Sequence, residues 1–227
     1  MRNTLAVEGL CAGYDDLLAI RDVTFTVAPG EIVAIVGRNG VGKTTTVNTV
    51  AGILPIVRGS VHFNGADIGK LQAFQRARLG IAVVPEGRRI FRAMSVEDNL
   101  LLGTQALDPS RRNVRDSLTD IYRGFELLAE RKSVLAGSLS GGQQQLLAIA
   151  QALIARPAIV LADEPTAGLS PSAITSVFEV IRGLAASGIG VLIVEERMEH
   201  MTGIADRTLT FDHGRIISES HEGPLIS

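Results

Sequence analysis

Two glycine-rich stretches in this chain have the makings of anion-binding loops, and a pair of carboxylates follows them. The first stretch, Gly37-Arg38-Asn39-Gly40-Val41-Gly42-Lys43-Thr44, fits the P-loop spacing in full. A triphosphate carries several negative charges that must be held in a dry site. Inward-aimed backbone N–H groups of a glycine turn at a helix N-terminus do this with fixed partial charges. Gly37, Gly40 and Gly42 permit the tight turn, Lys43 reaches the β and γ phosphates, and the Thr44 hydroxyl takes a Mg²⁺ position. Arg38, Asn39, Val41 and Thr45 complete the stretch expected to surround the nucleotide.

The carboxylates end an apolar run, Val160-Leu161-Ala162-Asp163-Glu164. Asp163 is placed to hold Mg²⁺ through water. Glu164 should point elsewhere, because successive side chains alternate along a strand. There it can orient and polarise an attacking water as a general base. The second glycine stretch, Leu139-Ser140-Gly141-Gly142-Gln143, opens a helix-like run that is apolar at Leu146, Leu147, Ile149, Ala150 and Leu153. Amides at that helix start, with the Ser140 hydroxyl, would suit a terminal phosphate. A plain serine cap after a glycine turn accounts for Ser140 as well.

The elements that must position these groups follow from the pattern. Thr4–Leu10 and the alternating Val23–Val27 read as strands, the latter ended by Pro29-Gly30. Ile32–Val36 is continuously apolar, the mark of a strand buried on both faces, and it feeds the first glycine loop. Lys43–Ile53 reads as a helix stopped at Pro55, Gly59–Ile68 as a hairpin around Asn64-Gly65, and Ile81–Val84 as a short strand after helical periodicity near Leu71. From Phe91 to about Ala155 no convincing strand occurs. Ile159–Ala162 and Val191–Val194 return as parallel-type strands around the helix Ser172–Ala186, and Arg207–Phe211 and Arg215–Ser218 turn at His213-Gly214. The pattern is one α/β domain over residues 1–227. Residues about 1–90 and 156–227 form a catalytic core with a β subdomain, and about 91–155 form a helical block.

Composition narrows the function classes. A formal net charge of −2 over 227 residues argues against a broad electrostatic grip on nucleic acid. The lone Cys11 cannot make an internal disulfide, which fits a reducing compartment. Met1–Leu10 lacks the apolar core of a signal peptide. The most apolar stretch, Leu146–Ala162, is interrupted by Gln151, Arg156 and Pro157, so any work on a membrane is expected to go through a partner.

The order P-loop, Leu-Ser-Gly-Gly-Gln, Asp163-Glu164 resembles the ATP-binding cassette (ABC) ATPases over essentially the whole chain. The resemblance implies a P-loop NTPase (RecA-like) core with an N-terminal antiparallel β subdomain and an inserted α-helical subdomain. It implies ATP and Mg²⁺ as ligands, and a head-to-tail dimer with a second ABC ATPase subunit, identical or not. In that dimer Ser140, Gly141, Gly142 and Gln143 reach the partner's ATP, and Tyr14 stacks on adenine. Three positions depart from the family pattern. Glu86, after Pro85, stands where a metal-sensing Gln is usual, and a carboxylate there still meets Mg²⁺. Ser170 stands where an Asp is usual. Glu196 occupies the switch position of a His that meets the γ-phosphate, so either Glu196 faces away or turnover relies on Glu164. His200, one helical turn on, reads as a surface residue.

The segments Val84–Phe91, Gly168–Pro171 and Val194–Glu196 are similar to the branched-chain amino acid uptake ATPases, specifically the shorter, LivF type. That likeness implies a cytoplasmic protein, peripheral on the inner face of the cell membrane, with membrane permease subunits and, indirectly, a solute-binding protein as partners, and no nucleic acid. Arg88, Arg89 and Arg92 read as a docking patch for the permease or as solvated surface charge. Urea or amide uptake, lipopolysaccharide-type export, and a catalytically weak ATP-binding regulatory subunit are the alternatives.

Overall fold

Ile32–Val36 forms β3, and all five of its residues are buried, as a run without polar alternation requires. A computed structural model describes residues 3–15, 17–106 and 113–221. In it β3 lies inside a six-stranded sheet with β6 (Ile81–Val84), β7 (Ile159–Asp163), β8 (Gly190–Glu195), β9 (Arg207–Asp212) and β10 (Arg215–His221), in the order β10-β9-β3-β8-β7-β6. Every pairing is parallel except the β9–β10 hairpin. Register aligns Val36 with Glu195 and Asp163 with Val194. The carboxyl ends of β3, β7 and β8 therefore finish side by side, which is where open parallel sheets bind ligands.

A second, antiparallel sheet packs over this one in the order β2-β1-β4-β5, with β1 (Leu5–Tyr14), β2 (Leu17–Val27), β4 (Arg58–Phe63) and β5 (Ala66–Asp67). β1 and β2 run longer than the alternating stretches alone indicate. Irregular register steps between Val7 and Gly13 let the pairing continue to Tyr14 opposite Leu17, which sets Tyr14 at the hairpin tip. Alternate residues of β3 feed two cores. Val33 and Ile35 pack with the antiparallel sheet, whereas Ile32, Ala34 and Val36 pack with the helices of the opposite face.

The helices are α1 (Lys43–Val50), α2 (Ala73–Leu79), α3 (Val96–Gly103), α4 (Val114–Gly124), α5 (Glu126–Glu130), α6 (Gly141–Leu153) and α7 (Pro171–Ala186); α1 packs on the antiparallel-sheet side and α3 to α7 on the opposite one. Between β6 and β7 the described residues are helices and turns, with one isolated bridge, Ser95 to Leu135. The chain leaves α1 after Val50, short of the expected Ile53, because Gly52 turns left-handed at φ 76°. α1 is the helix that the glycine loop feeds, and its last carbonyls are tied down by a buried arginine. The Arg76 guanidinium donates to Thr49 O (2.9 Å), Val50 O (2.7 Å), Leu71 O (3.0 Å) and Gly69 O (3.0 Å). Burial lowers its pKa against an opposing pull from Asp67.

Removing this clamp strands buried acceptors. Arg76→Met is expected to destabilise the protein by roughly 2–4 kcal/mol, read as a fall of roughly 5–10 °C in Tm by calorimetry. An unchanged Tm would show that the α1 terminus does not depend on Arg76.

Candidate functional site

The glycine loop starts where β3 ends. Gly37 N donates to Glu195 O at 3.3 Å, tying the loop to β8. Gly42 sits at φ 111°, and a Cβ there would stand 2.7 Å from Ile20 Cγ2 and 2.9 Å from Ala19 O, so the turn admits no side chain. Gly40 is the converse: at φ 81° a Cβ would meet nothing within 4 Å, so the crest of the loop is open. Lys43, only 4% exposed, opens α1. Its Nζ donates to Gly37 O (2.9 Å) and Arg38 O (3.2 Å) and pairs with Glu164 Oε1 at 3.2 Å. Val41 packs toward the core and accepts from Gly214 N.

A cavity of about 420 Å³ opens over this loop, walled by Tyr14, Asn39, Gly40, Lys43, Thr44, Thr45, Glu86 and Glu164 among others. Tyr14 is 53% exposed, which leaves its ring face free for a planar base. None of Ser140, Gly141, Gly142 and Gln143 lines the cavity.

The two carboxylates are placed differently from the alternation rule. β7 ends at Asp163, and Glu164 takes a left-handed backbone at φ 45° with its N–H on Val194 O (3.0 Å). The expectation that Glu164 points away from Asp163 is corrected: both turn to the first residues of α1. Thr44 Oγ1 donates to Asp163 Oδ1 at 3.1 Å, beside the Lys43–Glu164 pair. Burial pushes the Asp163 carboxyl up to about 6. Glu164 and Glu86 add to the rise, while the Thr44 hydrogen bond and Lys43 oppose it. No group of three or more His, Cys, Asp or Glu that could hold a metal alone exists among the described residues. A hydroxyl and a carboxylate at 3.1 Å with surplus negative charge around them do fit Mg²⁺, which keeps waters and takes further oxygens from a substrate phosphate.

Ser140 caps α6. Its Oγ accepts from Gln143 N (3.3 Å), and Gln143 Oε1 accepts from Ser140 N (3.0 Å), a reciprocal capping box. The serine-cap reading therefore describes this loop as it stands. Glu196 does not face away: its Oε2 accepts from Asn39 Nδ2 at 3.4 Å. Arg88 is half-buried rather than a free surface charge. It donates to Gly168 O (3.2 Å), and a Cβ on Gly141 would lie 3.1 Å from its Nη1. Arg89 and Arg92 are exposed. Ser170 precedes Pro171 at the start of α7, and its Oγ lies 3.3 Å from Ser172 Oγ.

Two residues exceed what the sequence signalled. His200 is not a surface residue: its ring meets Phe178 edge-on at 6.2 Å, and its Nδ1 lies 3.5 Å from Thr166 Oγ1 and 3.9 Å from Glu195 Oε2. Glu195 is 4% exposed. Its Oε1 accepts from Thr166 Oγ1 (2.7 Å) and Thr166 N (3.2 Å). Burial raises its pKa, opposed by the Thr166 bonds and His200, with Glu164 adding to the rise. The one available signal was a carboxylate directly continuing the fully buried run Val191–Val194.

Asp163 makes a pH-dependent prediction. Its folded-state pKa of about 6 exceeds the ordinary 3.8, so the folded protein binds more protons in that interval and loses stability as pH rises through it. Above about pH 6 the cost is complete. Asp163→Asn keeps an acceptor for Thr44 and is expected to stabilise the nucleotide-free, chelator-treated protein at pH 7.5 by on the order of 1–3 kcal/mol, with the gain shrinking toward pH 4. Denaturant titration at the two pH values checks this, and a variant less stable than the parent at pH 7.5 would contradict it.

The family described as ABC transporter matches residues 20–167. The chain is 36% identical over 223 residues to the high-affinity branched-chain amino acid transport ATP-binding protein BraG of Pseudomonas aeruginosa, covering 98% of this chain and 95% of that protein. It is also 36% identical over 216 residues to the lipopolysaccharide export system ATP-binding protein LptB of Escherichia coli, covering 95% and 89%. Among solved structures, the ADP conformation of MJ1267, an ATP-binding cassette of an ABC transporter, superposes with a TM-score of 0.88 at 28% identity, covering 96% of this chain and 91% of that one. The P-loop, the capped Leu-Ser-Gly-Gly-Gln turn and the Asp163-Glu164 strand end thus stand on a cassette fold, and the chain belongs to the ABC transporter family, as an ATP-binding and ATP-hydrolysing subunit.

Proposed function

We propose that this protein energises uptake of branched-chain, hydrophobic amino acids as the ATPase subunit of a bacterial importer, working on the cytoplasmic face of the membrane. The observation that carries the reading is near full-length likeness to BraG, 98% of this chain and 95% of that one. The segments Val84–Phe91, Gly168–Pro171 and Val194–Glu196 support it. Lipopolysaccharide-type export is the second reading, favoured by the equal identity to LptB.

The site residues take these roles. Backbone amides of Gly37–Thr44 cradle the phosphates, with Arg38, Asn39, Val41 and Thr45 completing the stretch around ATP, and Tyr14 stacks on the adenine. Thr44, Asp163 and Glu86 would hold Mg²⁺, which would supply charge neutralisation at the phosphate oxygens. Lys43 is engaged by Glu164 at 3.2 Å. A bound triphosphate draws Lys43 to its own oxygens, which frees the Glu164 carboxylate to accept the proton of the water attacking the γ-phosphate. The bond between γ-phosphorus and the bridging oxygen breaks, leaving ADP and phosphate. Ser140–Gln143 serve the ATP of a second ABC ATPase, consistent with their absence from the wall of this chain's own cavity.

The helical block of about 91–155 acts as a subdomain that carries the capped turn. Between α2 and α6 runs a largely apolar groove of about 490 Å³, lined by Phe74, Ala77, Ala148, Ala152, Pro85 and Arg89 among others. Pro85 lines the groove and Glu86 lines the nucleotide cavity. One short segment after β6 thus touches both, and a permease segment seated in the groove would sense the nucleotide through it. No helix among the described residues is long and apolar enough to cross a membrane. A solute-binding protein would act through that permease.

Steady-state hydrolysis by purified protein tests the machinery. Glu164→Gln is expected to lower kcat by roughly 10²–10⁴-fold and to tighten ATP binding, since Lys43 loses its carboxylate competitor. Lys43→Ala is expected to abolish ATP binding. An unchanged rate in Glu164→Gln would favour the weakly catalytic, ATP-binding regulatory reading instead. In a strain lacking the gene, uptake of labelled leucine should fall while urea uptake holds. Loss of urea uptake alone points to an amide importer. Normal uptake of both, with a defective lipopolysaccharide layer, would replace import by export.

A further inference from the structure

We infer that Glu195, Thr166 and His200 form a positioning network that holds Glu164 in its working orientation from outside the nucleotide cavity. The inference rests on Glu164 being the general base. Position 196 is a carboxylate bonded to Asn39, and a phosphate would repel it. An imidazole nevertheless stands near. Met198–His200 form a short 3-10 turn, and it brings His200 to the wall of a cavity of about 420 Å³ that Glu164, Asn39 and Glu196 also line.

Glu164 needs holding. Its φ of 45° is left-handed, a strained conformation for a non-glycine residue that persists where the surroundings impose it. β8 imposes it from both sides of the turn. Val194 O takes the Glu164 N–H at 3.0 Å, and the Glu195 carboxylate takes both Thr166 N (3.2 Å) and Thr166 Oγ1 (2.7 Å). Between them Pro165 has a fixed φ, and Ala167 N closes the turn on Glu164 O at 3.1 Å. Glu195, buried at 4% exposure, in turn requires compensation. His200 Nδ1 lies 3.9 Å from its Oε2 and 3.5 Å from Thr166 Oγ1, with the ring held edge-on against Phe178 of α7. None of the three side chains lines the nucleotide cavity. Their loss should misplace the base and leave nucleotide binding intact.

The test separates kcat from KM in purified protein. Thr166→Val, which keeps the shape and removes the hydroxyl, is expected to lower kcat on the order of tenfold to a hundredfold, with ATP affinity and KM within about twofold of the parent. Thr166→Ser should restore the rate. His200→Ala should lower kcat similarly, and the Thr166→Val/His200→Ala double variant should be no slower than the slower single one. If Thr166→Val does not fold, Glu195→Gln serves: it keeps an acceptor for Thr166, removes the charge facing His200, and should lower kcat at constant ATP affinity. Unchanged kcat, or a matching loss of ATP affinity, would overturn the network. Glu164→Gln run alongside tells the two failures apart. An active Glu164→Gln removes the base assignment, whereas an inactive one beside a fully active Thr166→Val removes the network alone.

Discussion

One ammonium group among several carboxylates governs this site. Among the described residues lining the cavity Lys43 is the sole cation, and it shares the wall with Glu86 and Glu164. Asp163 lies behind it and Glu196 beside Asn39. Burial disfavours ionisation of Asp163, and the neighbouring Glu164 and Glu86 add to it, which is why its carboxyl is pushed up to about 6. Lys43 offsets part of that strain through its 3.2 Å pair with Glu164. A divalent cation held by Thr44 and Asp163 would relieve the same imbalance in the proposed cycle.

The fold around that site was legible where the chain obeys one simple rule. Ile32–Val36 and Ile159–Ala162 are apolar without alternation, and both became central parallel strands. The P-loop spacing located Lys43 and Thr44 correctly because glycine placement and helix start are local properties. What could not be read was whatever depends on an exception or a distant partner. Alternation put Glu164 opposite to Asp163, but alternation ends with the strand, and a left-handed residue follows at once. Glu195 follows the apolar run Val191–Val194, and only the register that sets β8 against β3 and β7 shows it buried with Thr166, 29 residues earlier in the chain. No local pattern marks Arg76 as buried. It is buried because its four acceptors lie at the end of α1 and in the loop before α2.

Long-range side chains also explain how separate segments answer to one another. Arg88 stands just past β6, donates to Gly168 O, and packs over Gly141 at the start of α6. Its bulk fills space that a side chain on residue 141 would need, so glycine at 141 and arginine at 88 are one packing decision. The strand-end segment, the turn after Glu164 and the capped helix start consequently meet at a single guanidinium. A displacement of the segment Pro85–Arg89, one wall of the apolar groove between α2 and α6, would be felt at all three.

The departure at position 196 is best understood through the same geometry. A histidine there would compete for Asn39, whereas Glu196 accepts from its amide and so braces the glycine loop at 3.4 Å. The imidazole four residues on lies across from Glu195, not across from the phosphates. There it faces a buried carboxylate rather than the nucleotide. Two functions that one residue at 196 would otherwise combine, contact with the phosphate loop and support of the turn carrying Glu164, are therefore divided between Glu196 and His200. Because the bond to Asn39 and the pairing with Glu195 involve different partners and different elements, a change at one need not disturb the other.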